Sequence, residues 1–271
     1  MKIIHGVTML SSILACIMSL PAFAEDLSST HDSFPATTEV LIMSQAEEPG
    51  LIEEEEEDLE YLEEEEERPI ADPFERSNRF FFHVNDKLYF WALKPVATGY
   101  ATVVHENIRI GIRNVFDNIA TPIRFVNNLL QGQVKHAGNE LIRFGMNTTF
   151  GILGLFDVAK THLDMPMQDA DLGQTLGVWG LGPAFFINWP LLGPSSVRDT
   201  IGFAGDYFLN PISYVNPTLD RVAIKTGDRF NRASLVLGEY EDIKEAALDP
   251  YIAIRDIYHQ YRQNKIERRK R

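Results

Sequence analysis

The sequence predicts an all-helical single domain over residues 70–262. Three observations carry this: proline-marked helix starts recur along the chain, apolar residues repeat at three- and four-residue spacing, and strand signals are few. With 271 residues and 45% apolar content, the chain can bury one sizeable core.

The first helix is expected to open at Asp72-Pro73-Phe74-Glu75, where an aspartate can cap, a proline fits the first turn and a glutamate follows three residues on. Set at 100° intervals, Arg76, Arg79, His83, Asp86 and Lys87 gather on one side of it. Phe74, Phe80, Phe81, Phe82, Val84, Leu88, Tyr89 and Trp91 cover well over half the circumference. An apolar arc that wide exceeds the stripe of an ordinary surface helix, so it meets protein on one flank and either lipid or more protein on another. Asn78 and Asn85 fall within this arc, one heptad apart, and the default reading for both is hydrogen bonding to neighbouring backbone. Thr121-Pro122 opens the next segment, in which Ile123, Val126, Leu129 and Leu130 share a face and Gly132 closes the helix. Val134, Ala137, Leu141 and Phe144 make a second amphipathic run. Arg143 and Asn147 share a face there, where an internal ion pair is the default role for the arginine. Asn216-Pro217 and Asp249-Pro250 repeat the cap-then-proline start, ahead of Leu219, Val222 and Phe230 and then Ile254, Ile257, Tyr258 and Tyr261.

The formal charge of −14 is concentrated in one place. Residues 47–67 hold 14 Asp and Glu and no Lys or Arg, and the other 25 acidic residues are balanced by 25 Lys and Arg. Residues 25–69 therefore read as a disordered acidic lead, whose ordinary role is a self-repelling spacer. Residues 1–24 have the parts of a secretory signal: Lys2, an apolar stretch over residues 7–20, and Ala22-Phe23-Ala24 as the cleavage site. The only cysteine, Cys16, lies inside that stretch. Ile13-Leu14-Ala15-Cys16 is a degraded lipoprotein signal, and because the apolar stretch runs straight through Cys16, cleavage after Ala24 is favoured. Residues 263–271 read as a basic tail of the kind a frayed helix end leaves.

Between Asp171 and Arg198 lie 26 residues without a charge, LGQTLGVWGLGPAFFINWPLLGPSSV. That length spans a bilayer. Yet its glycines and prolines forbid one continuous helix, and irregular backbone at membrane depth survives only where protein or a water-filled cavity satisfies its polar groups. A buried loop or a pore lining are the options, and Trp179, Phe185, Phe186 and Trp189 suit an interfacial position.

These residues resemble a known family. Asp171-Leu172-Gly173-Gln174-Thr175-Leu176-Gly177-Val178-Trp179-Gly180, then Gly182-Pro183 and Leu191-Leu192-Gly193-Pro194-Ser195-Ser196-Val197-Arg198-Asp199, resemble the signature of MlaA/VacJ proteins. So do Asp72-Pro73 with Asn78-Arg79, Pro95-Val96-Ala97, Val126-Asn127-Asn128-Leu129-Leu130-Gln131-Gly132, and Arg143-Phe144 with Asn147-Thr148. The matches run in order over residues 70–215. The resemblance implies a ring-like bundle of amphipathic helices around a central amphipathic channel, lying in the inner leaflet of the outer membrane. It also implies removal of misplaced phospholipid from the outer leaflet, delivery to a soluble periplasmic lipid carrier, and association with a trimeric porin. On this reading Asn78, Asn127, Arg143, Asn147, Asp171, Gly173, Gln174, Gly177, Trp179 and Gly180 are the channel or pivot candidates, and Cys16 is the lipidation candidate. The weak anchor signal and the glutamate-rich lead depart from the family pattern.

Catalytic constellations are missing from the sequence: it has no G-x-S-x-G elbow, no H-E-x-x-H, no G-x-x-x-x-G-K and no cysteine in the folded region. His83, His105, His136, His162 and His259 lack ligand spacing, Asp164, Asp169 and Asp171 read as a solvated loop, and no cofactor, metal or nucleic acid is expected. A lipid-translocating channel protein is the leading expectation. A structural porin-associated adaptor and a phospholipid hydrolase are the alternatives.

Overall fold

The computed structural model describes residues 69–270, so the signal segment, Cys16 and almost all of the acidic lead lie outside the described residues. The helices are α1 (Glu75–Leu88), α2 (Lys94–Val103), α3 (Glu106–Ile119), α4 (Thr121–Leu130), α5 (Val134–Thr149), α6 (Val158–Leu163), α7 (Leu172–Val178), α8 (Val197–Leu209), α9 (Thr218–Leu235), α10 (Glu239–Ala246) and α11 (Pro250–Lys270). A short hairpin of β1 (Phe186–Trp189) and β2 (Gly193–Ser196) interrupts them. The fold is all-α, as expected, and successive packing contacts run α1, α2, α9, α3, α4, α7, α11, hairpin and back to α1, a closed circuit.

α1 continues into α2 through a π-helical turn, Tyr89–Leu93. Pro95 stands in the first turn of α2, where its ring would crowd the carbonyl four residues back. The wider turn relieves this, with Lys94 N–H reaching the Tyr89 carbonyl five residues away. The wide apolar arc divides as its width demanded: Phe82, Tyr89 and Leu93 turn inward, while Phe74, Phe80 and Trp91 are exposed. Phe82 meets the Tyr251 ring edge-on at 5.8 Å, and Phe186 meets Tyr251 and Tyr258 at 6.1 and 6.2 Å, which builds the apolar core between α1, the hairpin and α11. Four buried tyrosine hydroxyls donate to carboxylates: Tyr89 to Glu241 at 2.7 Å, Tyr240 to Asp86 at 2.9 Å, Tyr258 to Asp199 at 2.5 Å, and Tyr251 to Asp72.

Three expectations are corrected. Asp72 does not cap α1; its carboxylate is taken by the Asn78 amide, the Tyr251 hydroxyl and the Arg255 charge, and the helix starts at Glu75 without a side-chain cap. At Asp249 the expected cap is present, its carboxylate accepting from Tyr251 N–H at 3.0 Å. The charge-free stretch holds a strand pair, because Asn78 and Asn85 on α1 supply the partners that β1 lacks. Asn78 donates to the Phe186 carbonyl and accepts from Asn188 N–H, and Asn85 donates to the Trp189 carbonyl and accepts from Leu191 N–H. The heptad spacing of the two asparagines thus matches the strand repeat and covers an edge. Finally, α11 does not stop at residue 262. It runs to Lys270, with Ile266 buried and Arg269 donating to the Asn128 side chain and the Asp169 carbonyl, so residues 263–270 are packed rather than frayed.

On α4 and α5 the apolar faces point outward, the reverse of an ordinary helix in water. Thr121, Arg124, Asn127 and Asn128 are the buried residues of α4, and Leu129 and Leu130 are exposed. On α5 the buried side holds Glu140, Arg143 and Asn147 around Ala137, while Val134, Leu141 and Phe144 are exposed.

Candidate functional site

The inversion of α4 and α5 defines the site. An amphipathic helix in water turns its apolar stripe inward. Here the polar stripe is inside and largely hydrogen-bonded, and the apolar stripe looks out. Phe203 and Phe208 on α8, Phe80 and Trp91 near α1, and Phe150, Ile152, Leu153 and Phe156 after α5 extend the exposed apolar surface far beyond the scattered residues normal for a water-facing surface. No helix among the described residues is long and apolar enough to cross a membrane. The apolar surface therefore comes from the flanks of helices, the geometry of a helix lying along a lipid interface, and from the turn after α5.

Two charged nodes replace an apolar core behind it. In the first, Arg262 is buried and forks onto Asp171 at 2.6 and 2.9 Å and onto Asp199 at 2.9 Å. Asp199 also takes Arg198 at 3.0 Å and the Tyr258 hydroxyl. Burial pushes the Asp199 carboxyl up, but the Arg262 and Arg198 guanidiniums outweigh it and hold it well below the usual carboxylate range. Asp171 is the N-cap of α7, accepting from Gln174 N–H at 2.7 Å. Gly173 has no side chain because a Cβ there would lie 2.5 Å from Asp199 Oδ1 and 2.7 Å from Arg262 Nη2. Gln174 is fully buried and donates to Asp171. In the second node Glu140, fully buried, receives Arg124 at 2.6 Å and Gln168 N–H at 2.7 Å, with Arg143 at 3.8 Å. Arg143 turns to Asp157 at 2.9 Å and to the Met165 carbonyl, and Asn147 bridges Asp157 to Ala159 N–H.

Asn127 links the two regions: it donates to Asp206 at 2.8 Å and accepts from the Thr175 hydroxyl at 2.8 Å. Burial, followed by the nearby Asp171 charge, pushes the Asp206 carboxyl up to about 6, against the N–H bonds from Leu172 and Asn127. A folded value above the unfolded carboxylate, about 3.9, makes its contribution full below about pH 4 and lost as pH rises through about 6. Asp157 and Asp199, held low, act with the opposite sign: their contribution is present above about pH 4 and lost in stronger acid. The melting temperature followed from pH 7.5 to pH 3 is therefore expected to pass through a maximum between about pH 4 and 6. Asp206→Asn should flatten the neutral limb by about 1–2 kcal/mol, after discounting for its partial exposure; an unchanged limb contradicts this assignment.

The predicted residues thus fall into distinct roles. Asn78 pairs the hairpin; Asn127, Arg143, Asn147, Asp171, Gly173 and Gln174 build the buried polar interior. Gly177 permits close packing, since a Cβ would come 2.4 Å from Ile266 Cδ1. Gly180, at φ +96°, ends α7 in a Schellman turn, with Leu181 N–H on the Leu176 carbonyl and Gly180 N–H on the Gly177 carbonyl. Trp179 is the exception: its ring is exposed while its N–H donates to the Leu130 carbonyl at 3.0 Å, leaving an apolar face with no unmet donor. Of the expected acidic loop cluster, Asp171 pairs with Arg262 and Asp169 with Lys265.

An open apolar cavity of about 430 Å³ lies between α2, α3 and α9, against Val96, Tyr100, Ile112, Phe116, Ile224 and Phe230. Its size suits part of an acyl chain. None of the predicted residues lines it. Sequence reasoning also missed Arg262, Asp199 and Glu140. One signal was present for the first: Arg262 is a charge inside the stripe Tyr251, Ile254, Tyr258, Tyr261 and Ile266, where an unpaired cation could not stay.

Comparison with known proteins agrees with this architecture. An uncharacterized protein of Rickettsia bellii is 32% identical over 202 residues, covering 74% of this chain and 78% of its own length. The intermembrane phospholipid transport system lipoprotein MlaA of Escherichia coli is 29% identical over 196 residues, covering 70% and 76%, and that of Haemophilus influenzae is 28% identical over 194 residues, covering 69% and 74%. A solved chain described as "Structural basis for maintenance of bacterial outer membrane lipid asymmetry" superposes with a TM-score of 0.64 at 28% identity, over 72% of this chain and 99% of that one. The family model for the MlaA lipoprotein matches residues 70–265, which takes in the hairpin, both charged nodes and most of α11: the chain belongs to the MlaA lipoprotein family.

Proposed function

We propose that this chain moves phospholipid between membranes without chemical change: it takes misplaced phospholipid from the outer leaflet of the outer membrane and passes it to a soluble periplasmic carrier. It does so from the inner leaflet, beside a trimeric porin. The observation that carries the reading is the inside-out amphipathicity of α4 and α5, apolar outward and hydrogen-bonded inward. A lipid environment offers such helices an apolar solvent. Relatives carrying the name of an intermembrane phospholipid transport lipoprotein support it. Binding and release suffice for such a task, and the carboxylates of the two charged nodes, Asp171, Asp199, Glu140 and Asp157, are committed to internal arginines.

The test is extraction of the full chain in mild detergent and mass spectrometry of its lipids. Intact diacyl phospholipid should co-purify in about equimolar amount, and purified chain should accelerate its transfer between vesicles without releasing fatty acid. A lipid-free chain that transfers nothing overturns the reading, and fatty-acid release would replace it with hydrolysis.

A further inference from the structure

Helix α9 carries a row of like charges. Arg221, Lys225 and Arg229 follow one another at four-residue spacing and so stand one above the next on a single side. Like charges at that spacing repel and weaken a helix. Arg221 and Lys225 converge on the short turn Pro211–Tyr214. Arg221 donates to the Ser213 carbonyl at 2.9 Å and to the Thr218 hydroxyl at 3.2 Å; Lys225 donates to the Ser213 hydroxyl at 3.3 Å, and its Nζ stands 4.7 Å over the Tyr207 ring. All of these partners are uncharged, and neither cation has an ion pair among the described residues. Asp220 falls on the other side of α9, and Asp228 is taken by Arg232 at 2.8 Å. Burial, then the charges of Arg221 and Arg229, push the half-buried Lys225 ammonium below the ordinary lysine value, and no carboxylate among the described residues pulls it back.

The complementary charge is gathered elsewhere in the same chain. Residues 47–67 carry 14 Asp and Glu without a Lys or Arg, and carboxylates this dense repel one another as well. The run ends just ahead of Ile70, which is buried, and of Ala71, whose carbonyl accepts from Phe186 N–H, so it is tethered directly to the folded part. Extended, it reaches about 70 Å, more than the width of a domain of this length, about 40 Å.

We propose that the acidic run 47–67 docks on the cationic row of α9, its carboxylates pairing with Arg221 and Lys225 of the same chain. Docking relieves the repulsion within both partners at once. Three features select this occupant over a free anion or another protein. The tether holds the run at an effective concentration on the order of millimolar, which a separate partner must match. Carboxylates at nearly every position supply a partner for each cation of a row that rises about 6 Å per step, which one compact anion does not. Leu59, Tyr61 and Leu62 interrupt the glutamates and bring apolar side chains to the exposed rings of Tyr207 and Tyr214 beside the row. The inference stands apart from the transport reading, because it concerns only what covers α9.

The test is carbodiimide coupling in the full chain, which joins a carboxylate to an ammonium only when the two touch, followed by digestion and mass spectrometry. An equal mixture of unlabelled and isotope-labelled chain separates coupling within a chain from coupling between chains. The expected product is an amide between Lys225 and a glutamate of 47–67 within one chain at low salt, lost at about 0.5 M salt. Coupling spread evenly over Lys87, Lys135, Lys160 and Lys270 makes the run a spacer and overturns the proposal, as does coupling only between chains or none at Lys225. A second measurement leaves the described fold unchanged. Replacing the 14 acidic residues of the run by their amides should raise affinity for phosphatidylglycerol vesicles about tenfold, by uncovering two cations. That gain should persist with Lys225→Arg, which keeps the charge, and vanish in a chain that also carries Arg221→Gln and Lys225→Gln. A gain of equal size in that last chain would come from bulk charge and overturns the proposal; no gain in the first shows that the row was never covered and overturns it as well.

Discussion

Arg262→Leu is expected to destabilise the domain by about 3–5 kcal/mol, the usual cost of breaking a buried ion pair from one side. For a domain of this size that is a fall in melting temperature of roughly 10 °C or more. The guanidinium holds four of the bonds that tie α7 and α8 to α11, two to Asp171 and two to Asp199. Its own charge is favoured far beyond an ordinary arginine, because Asp171 and Asp199 outweigh the penalty of burial. A leucine would leave both carboxylates in an interior without their main counter-charge; Asp199 would keep Arg198 and Tyr258, and Asp171 only its cap bonds to Gln174. Chemical denaturation of Arg262→Leu, Asp199→Asn and the double variant forms the test. The double variant should lose clearly less than the sum of the two singles, since removing both partners is cheaper than stranding one. A loss under about 1 kcal/mol for Arg262→Leu would show the node to be solvated.

Gly202→Ala should cost about 3 kcal/mol, the upper end of what one inserted methyl inflicts on a packed interior. An added Cβ would lie 2.2 Å from Gly173 N and 2.6 Å from Gly173 Cα. Those are backbone atoms of the facing helix, so no rotamer change relieves the clash and α7 must move off α8. Moving it also disturbs the N–H bond from Leu172 to Asp206 and the Asp171 cap. Gly145→Ala is the paired control. A Cβ there meets nothing within 4 Å, and replacing glycine inside α5 should stabilise by about 0.5–1 kcal/mol. Thermal unfolding of both variants distinguishes close helix contact from helix propensity. Equal, small effects would mean that the α7–α8 approach is looser than its geometry states.

Helix starts were legible where the cap stayed local. Asp249 serves α11 as expected because its partners, Tyr251 N–H and Ile252 N–H, are the next residues along the chain. Asp72 has the same local pattern but is drawn to Tyr251, 179 residues away, and no local signal announces that competitor. The hairpin was illegible for the same reason. Residues 186–196 carry little alternation of their own, and their pairing is completed by Asn78 and Asn85 from another element. The site candidates were legible as residues but not as roles. Asn127, Arg143 and Asn147 stand in a recognisable pattern, yet whether such groups face a passage or one another depends on which way each helix is turned.

The sequence by itself determined that the chain is helical, where α4, α5 and α11 begin, and that one long stretch would be neutral and broken by glycine and proline; these follow from backbone preferences and periodicity that each segment carries alone. Periodicity reports that a helix has two faces, not which solvent each face meets. Only the tertiary structure decided that the polar faces turn inward, because the partners that make this stable, Arg262 on Asp171 and Asp199, Arg124 on Glu140 and Arg143 on Asp157, are brought together from elements distant in the chain.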